Sequence, residues 1–372
     1  MACSALIENT AIKEKSYSIM KVSKKLPHHY ISKVMLLRKL AIAVCLTVSI
    51  ACSKKEATST PTPTNPTPTP AATRLINLPA GWKYASLLSA AFPAGVELYF
   101  FDTLFQGRKT KAFCLAYDSK RSNIEFKPVL SATLKKPSDF YKEEAGVVYG
   151  CLNGGFFGGS QSFSLVQYNG VVQSANIKSV SRSFNGVSTA YYPTRAAFGI
   201  TSTGSPMTAW IYHVGAGNND IYAYPSPSPN VEGSAPQAVP TESFPAGATR
   251  WTTTSAIGGS PMLVRNSNVL ISDAAELISI NNNTSRPRSA IGFNSNGIVL
   301  LLAVEGDNTA AGYTGLNLTE LANMLKDLNC VEAINLDGGG STSMVVANQL
   351  LVRPGDSGVE RPVISVIIIK QK

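Results

Sequence analysis

The stretch Ala333-Ile334-Asn335-Leu336-Asp337-Gly338-Gly339-Gly340-Ser341-Thr342-Ser343-Met344 runs from apolar residues into a carboxylate, three glycines and three hydroxyl side chains. It reads as a strand that delivers a reactive loop. Consecutive glycines weaken any regular element, so their use is to let backbone N–H groups approach something closely. Successive N–H groups in such a turn form a concave donor array suited to an anion, and Ser341, Thr342 and Ser343 add hydroxyl donors for a phosphate or a sugar. A plain tight hairpin turn is the alternative for a lone glycine triplet.

The same design recurs elsewhere in the chain. Gly146-Val147-Val148-Tyr149 leads into Cys151-Leu152-Asn153-Gly154-Gly155-Phe156-Phe157, and Ala256-Ile257 leads into Gly258-Gly259-Ser260-Pro261-Met262-Leu263-Val264. A fourth segment, Arg286-Pro287-Arg288-Ser289-Ala290-Ile291-Gly292-Phe293, enters a strand through arginine. Four strand ends thus carry amide, glycine, guanidinium and carboxylate, the parts of a pocket assembled from loops on a rigid sheet.

Short apolar runs punctuated by Gly, Pro and Asn dominate the chain. Strands are expected at Val96 to Asp102, Lys111 to Tyr117, Ile124 to Leu130, Val147 to Leu152, Phe163 to Tyr168, Arg195 to Ile200, Pro261 to Val264, Ser289 to Phe293, Ile298 to Val304, Met344 to Val346 and Val363 to Ile369. Two helices are expected. One covers Pro137 to Ala145; the other follows Asn317, which is spaced from Glu320 as a capping box and precedes an apolar face of Leu318, Leu321, Met324, Leu325 and Leu328. Many strands and few helices predict an α+β fold with a largely antiparallel or mixed sheet. Residues 215–250, rich in Pro, Ser, Asn and Ala, read as a long loop or inserted hairpin.

The 372 residues, 44% hydrophobic, are ample for a core. Residues 1–51 read as a lipoprotein signal with an N-terminal extension: Met35-Leu36-Leu37-Arg38-Lys39 is basic, Leu40 to Ile50 is apolar, and Ala51 precedes Cys52, the expected lipidation site. Eleven apolar residues are too few to span a bilayer. Residues 52–80 are a Pro/Thr-rich tether and 81–372 the folded domain. An exported bacterial lipoprotein of the cell envelope, held to a membrane by acylated Cys52, is the expected setting.

Eight Lys or Arg and two acidic residues precede Cys52, so the formal charge beyond the signal is +4 rather than +10. No nucleic-acid partner is indicated, and the oligomeric state is open. His213 is the only histidine after the signal, which excludes multi-histidine zinc sites and leaves any Ser-His-Asp or Cys-His scheme dependent on that one residue. Cys114, Cys151 and Cys330 allow at most one disulfide within the domain. No lysine follows Gly338 to Gly340, so a P-loop is disfavoured.

In this order, Asn153-Gly154-Gly155-Phe156-Phe157, Gly258 to Val264, Pro287 to Gly292 and Asn335 to Thr342 resemble the phosphodiester glycosidase family, over roughly Trp82 to Ile369. Glu360-Arg361-Pro362-Val363 is similar to its C-terminal arginine before a last strand. The resemblance implies a hydrolase that releases a sugar such as N-acetylglucosamine from a glycosyl-1-phosphodiester, cutting on the sugar side of phosphate. Two departures stand out: Glu305-Gly306-Asp307 lacks the arginine that relatives often carry there, and Arg286 stands where they frequently have histidine.

An alcohol leaving group normally needs a carboxylic acid to protonate it, whereas phosphate departs as a stable anion that cations and N–H groups can stabilise. On this chemistry Asp337 acts at the anomeric side, as base for water or as nucleophile. Arg288 binds the phosphate, because its planar fork takes two oxygens together, and Arg361 is a second clamp. Glu305 is the second carboxylate candidate. Asn153, Gly154, Gly155, Gly338, Gly339, Gly340, Ser341 and Thr342 are expected to contact substrate. No cofactor is expected, with a divalent cation left open. Two other readings stay in view: a surface lipoprotein that only binds phosphate-bearing glycans, and a metal-assisted phosphodiesterase using Asp337, Glu305 and Asp307.

Overall fold

A computed structural model describes residues 73–372 of the chain. Cys52, the signal and most of the Pro/Thr tether lie outside the described residues. Packing is already established before residue 81: Ile76 is buried, and the Leu75 N–H donates to the Glu97 carboxylate at 2.9 Å.

Three antiparallel sheets surround one core. The largest orders its strands Trp82–Tyr84, Val96–Phe105, Arg108–Asp118, Ile298–Val304, Arg288–Asn294, Cys330–Asn335, Met262–Arg265 and Asn268–Val269. A seven-stranded sheet runs Thr249–Arg250, Ile221–Tyr224, Pro206–His213, Arg195–Thr201, Thr253–Gly258, Val166–Tyr168 and Val171–Ser174. A five-stranded sheet runs Gln349–Leu350, Met344–Val346, Val148–Asn153, Val363–Gln371 and Ile124–Lys135. With the two short α-helices Pro137–Glu143 and Leu318–Asp327, this is the expected α+β architecture.

Period-two alternation explains why fully apolar strands occur at the centre. In Ile298–Val304, Val299, Leu301 and Ala303 face the central core, where they join Leu152 and Ile367 of the five-stranded sheet and Phe198 and Trp210 of the seven-stranded one. Its other side chains, Ile298, Leu300, Leu302 and Val304, pack with Leu318, Leu321 and Leu325 of the second helix. Likewise Ile367 and Ile369 of the last strand enter the central core, while Val366 and Ile368 pack with Phe140 of the first helix. Each of the Val, Leu, Ile and Phe side chains among these contributes about 1.5–3 kcal/mol through burial.

Some expected elements shift for identifiable reasons. The expected strand Phe163 to Tyr168 begins only at Val166, because the Ser162 and Ser164 hydroxyls take up local backbone groups, Ser164 Oγ accepting from the Phe156 N–H at 2.9 Å. Residues 215–250 contain the paired strands Ile221–Tyr224 and Thr249–Arg250, an inserted hairpin. Cys114, Cys151 and Cys330 are buried free thiols, and burial pushes their pKa values up. Among the described residues no helix is long and apolar enough to cross a membrane.

The second helix starts at the expected capping box. Asn317 Oδ1 accepts the Glu320 N–H at 2.8 Å, and Glu320 Oε2 accepts the Asn317 N–H at 2.9 Å. Asn317→Ala is expected to cost about 1 kcal/mol. Urea unfolding should show a lower midpoint with an unchanged slope; an unchanged midpoint would remove the cap from the account.

Candidate active site

The strand Cys330–Asn335 and the start of Arg288–Asn294 run side by side, and their backbone bonds continue past the ladder into the loop. The Leu336 N–H donates to Ser289 O at 2.9 Å and the Gly339 N–H to Pro287 O at 2.9 Å. Gly338 is required by close approach, since a Cβ on it would meet Pro287 O at 2.9 Å, while one on Gly340 would displace the Asp356 carboxylate and the Arg361 guanidinium. Gly339 has φ +58°, the left-handed region that favours glycine, and faces open space. Residues 339–341 form a 3₁₀ turn.

The result is a cavity of about 230 Å³ lined by Asp337, Gly338, Gly339, Gly340, Arg288 and Arg361, together with Arg286, Phe156, Ile280 and Asn281. Asp337 is its only lining carboxylate and faces three guanidinium-bearing side chains. Although the residue keeps some surface, its carboxyl group is densely surrounded by protein, which pushes its pKa up to about 6. Three weaker influences act the other way: a hydrogen bond from the Ser341 hydroxyl, one from the Gly338 N–H at 2.9 Å, and the charge of Arg361.

Arg288 is buried, and four backbone carbonyls hold its guanidinium. Nε donates to Leu316 O at 2.9 Å, Nη1 to Ile280 O at 3.1 Å, and Nη2 to Asn281 O at 2.8 Å and Thr284 O at 3.1 Å. Of five N–H donors, one on Nη1 is left over. Among the described residues it makes no ion pair within 4.0 Å. Burial lowers its pKa to about 10, helped by the like charge of Arg286 and opposed by Asp307, so it is ionised at neutral pH. The other two arginines are partnered. Arg361 makes a bidentate pair with Asp356 at 2.6 and 2.8 Å, and Arg286 sits 3.4 Å from both oxygens of Asp307. The two departures from the family pattern, Arg286 and Asp307, are therefore opposite each other.

The remaining expected site residues stand behind this wall. Asn153 is fully buried: its Nδ2 donates to Asp337 O at 2.7 Å, while its Oδ1 accepts from the Ser289 hydroxyl at 2.6 Å and the Ser343 N–H at 3.2 Å. Its polar atoms are committed to joining three chain segments. Gly154 and Gly155 pack against Ser365, Ser164 and the carbonyl of Gly258, so their close approach is to protein backbone. Ser341 and Thr342 are buried, with Ser341 Oγ accepting from Arg361 Nη1 at 3.5 Å. Glu305 is buried outside the cavity lining, 3.2 Å from Lys111 Nζ and accepting from Asn308 Nδ2 at 2.8 Å and the Arg353 N–H at 3.1 Å. Among the described residues no three His, Cys, Asp or Glu side chains gather as a metal-ligand group.

Sequence reasoning left out the loop before Arg288. Its polar run Asn281-Asn282-Asn283-Thr284 and the left-handed Asn281 (φ +55°) are the signal that it turns back over the arginine. Glu276 roots that loop: it accepts from the Ala196 and Met262 N–H groups, Trp210 Nε1 and the Ser260 and Ser272 hydroxyls. Nothing in the spacing of Glu276 discloses this.

The chain belongs to the phosphodiester glycosidase family, whose model matches residues 151–370. A 110-residue stretch, 27% of this chain, is 32% identical to N-acetylglucosamine-1-phosphodiester alpha-N-acetylglucosaminidase of Mus musculus and covers 21% of that protein. The Homo sapiens protein of the same name is 38% identical over 74 residues, 20% of this chain and 14% of that one. The matched stretches thus span about a fifth or less of these relatives. The fold is shared with the catalytic domain of the zebrafish enzyme of that name, a structure described as auto-inhibited by its pro-peptide (TM-score 0.51, 17% identity, covering 78% of this chain and 88% of that one). It is also shared with a hypothetical protein from Synechocystis (TM-score 0.51, 18% identity, covering 76% and 63%).

A carboxyl group whose pKa is raised by folding contributes most favourably at low pH, and that contribution is lost as pH rises through its folded value, here about 6. Asp337→Asn should therefore stabilise the protein at pH 8 by about 1–2 kcal/mol, after allowing for its residual solvent contact. The gain should vanish at pH 4. Thermal unfolding at both pH values checks this, and a destabilised variant at pH 8 would contradict the burial of a charged Asp337.

Proposed function

We propose that the chain hydrolyses the C1–O bond of a glycosyl-1-phosphodiester, such as one of N-acetylglucosamine, releasing free sugar and a phosphomonoester. One observation carries the reading: a single carboxylate shares a small cavity with three guanidinium groups, one of which, Arg288, has no carboxylate partner among the described residues. A buried, ionised guanidinium with no ion-pair partner among the described residues favours an anion beside it. A phosphodiester supplies that charge and accepts the one free Nη1 N–H; the two-oxygen clamp expected of the Arg288 fork is not open to it, because the loop carbonyls occupy the other four donors.

Asp337 is the group for the anomeric carbon, as base for water or as nucleophile. With a pKa near 6 it is ionised at neutral pH yet far more basic than an exposed aspartate. The leaving phosphate develops negative charge as the bond breaks, and Arg288 and Arg361 stabilise it where a protonated carboxylic acid would otherwise be needed; the N–H groups of Gly338 and Gly339, expected to cradle the anion, are instead taken by Asp337 and Pro287. Asn153 acts at one remove, holding the Asp337 carbonyl and hence the angle of the loop. Glu305 has a supporting part here, since its carboxylate secures Asn308 and the Arg353 segment. The Cys52 anchor and Pro/Thr spacer belong to the same proposal, supported by sequence pattern: they would display the enzyme at the cell envelope.

The test uses UDP-N-acetylglucosamine, whose sugar C1 oxygen is likewise esterified to a doubly linked phosphate, so that C1–O cleavage releases UDP, with free N-acetylglucosamine as readout. Asp337→Asn is expected to lower its release roughly 10²–10⁴-fold, and full activity in that variant would overturn the assignment. For the wild type, kcat/KM should rise with pH through an apparent pKa of about 6 as Asp337 ionises. Because the Arg361 charge holds that pKa down, Arg361→Gln should move the acid limb to higher pH. An acid limb near 4 in the wild type would remove Asp337 from the role of base.

A further inference from the structure

The hairpin that follows Phe156, a residue of the catalytic cavity, lines a second cavity. Strands Phe157–Gly158 and Gln161–Ser162 pair, and the Phe163 N–H donates to Phe156 O at 2.9 Å, so the two ends of the hairpin are tied together. Phe156 lines the catalytic cavity, while Gln161 and Phe163 line another of about 690 Å³. Ligand pockets fall at roughly 300–1,000 Å³. The catalytic cavity, at about 230 Å³, is below that range and the second is within it.

The lining defines the chemistry. No Asp or Glu lines this second cavity, and its one charged residue, Lys178, has its ammonium engaged by the carbonyls of Gly215 at 2.9 Å and Gly217 at 2.7 Å. Amide side chains supply the rest. Gln161 and Asn218 are exposed and their side chains have no hydrogen-bond partner among the described residues. Gln173 uses only its Oε1, accepting from the Leu130 N–H at 3.3 Å. Asn176 is buried, its Oδ1 accepting from the Leu165 N–H at 2.7 Å, so it shapes the wall while Gln161, Gln173 and Asn218 present the open amide groups. A planar amide offers donor and acceptor side by side, the match for adjacent hydroxyls. Phe163, 37% exposed, adds an aromatic face for the C–H face of a sugar ring.

The wall is also built rather than incidental. Buried His213 accepts the Asn176 N–H at Nε2 (3.0 Å) and meets Asn218 O with Nδ1 (2.6 Å), so Nδ1 carries the proton and one neutral imidazole fixes two lining residues. Burial lowers its pKa, which keeps that neutral form at physiological pH.

We propose that this cavity is a carbohydrate-binding site for a neutral oligosaccharide, separate from the phosphate site and sharing the hairpin wall with it. The proposal holds whether or not Asp337 hydrolyses a phosphodiester, because its ligand carries no phosphate.

Isothermal titration of the full chain with neutral tetrasaccharides of N-acetylglucosamine, glucose and mannose tests it. At least one should bind saturably, and Gln161→Ala and Phe163→Ala should each weaken it about tenfold or more. Both variants should keep wild-type release of free sugar from UDP-N-acetylglucosamine and a wild-type thermal midpoint; if Phe163→Ala loses its fold, Gln173→Ala takes its place. Inorganic phosphate should not compete. Absence of saturable binding for all three sugars at about 10 mM, binding indifferent to the substitutions, or displacement by phosphate would each overturn the proposal.

Discussion

An ionised guanidinium kept in the interior by carbonyl oxygens alone is the constraint on which the site depends. Arg288 is chelated by Ile280, Asn281, Thr284 and Leu316, and these contacts fold the 280–284 loop over the strand start. Carbonyl dipoles satisfy its hydrogen bonds without cancelling its charge. The burial that lowers Arg288 also raises Asp337, since desolvation disfavours either charged form. The two do not form an ion pair with each other. Had they done so, each would neutralise the other and the cavity would have no use for an anion; kept apart, they leave a gap between opposite charges that suits a substrate with a positive-going carbon and a negative-going phosphate.

Rigidity comes from behind the cavity. Asn153 joins the strand Val148–Asn153, Ser289 on the neighbouring sheet and the loop on both sides of the glycines through a single amide. Gly154, Gly155, Gly258 and Gly259 let backbone segments from different sheets touch at this junction. The buried Glu276, with five donors, anchors the far end of the Arg288 loop. A site assembled from four strand ends holds its geometry only if such joints fix the strands against one another.

Much of this was legible in the chain. Alternating apolar runs mark nearly every central strand, the Asn317/Glu320 spacing marks the second helix, and the order of glycine-rich strand ends marks the pocket. Less legible was the direction in which the glycines serve. A glycine that admits a ligand and one that admits a neighbouring strand look alike in sequence, so Gly154 and Gly155 sit under the wall while Gly338 to Gly340 line it. The same holds for polar residues: Asn153 and Glu305 carry chemistry by type, but the partners that occupy them, Ser289 and Ser343 or Lys111 and Asn308, come from distant segments. Arg286 and Asp307, separate departures in sequence, become one ion pair only through the approach of the 305–316 segment to the strand start.

The central claim is that the bond broken lies between the sugar carbon and oxygen, with phosphate as the departing anion. Hydrolysis of UDP-N-acetylglucosamine in ¹⁸O-labelled water, with mass analysis of both products, tests it most directly. The account predicts the label in the C1 hydroxyl of free N-acetylglucosamine and none in the UDP; unlabelled sugar with label in a phosphate group, or sugar phosphate as product, would contradict it.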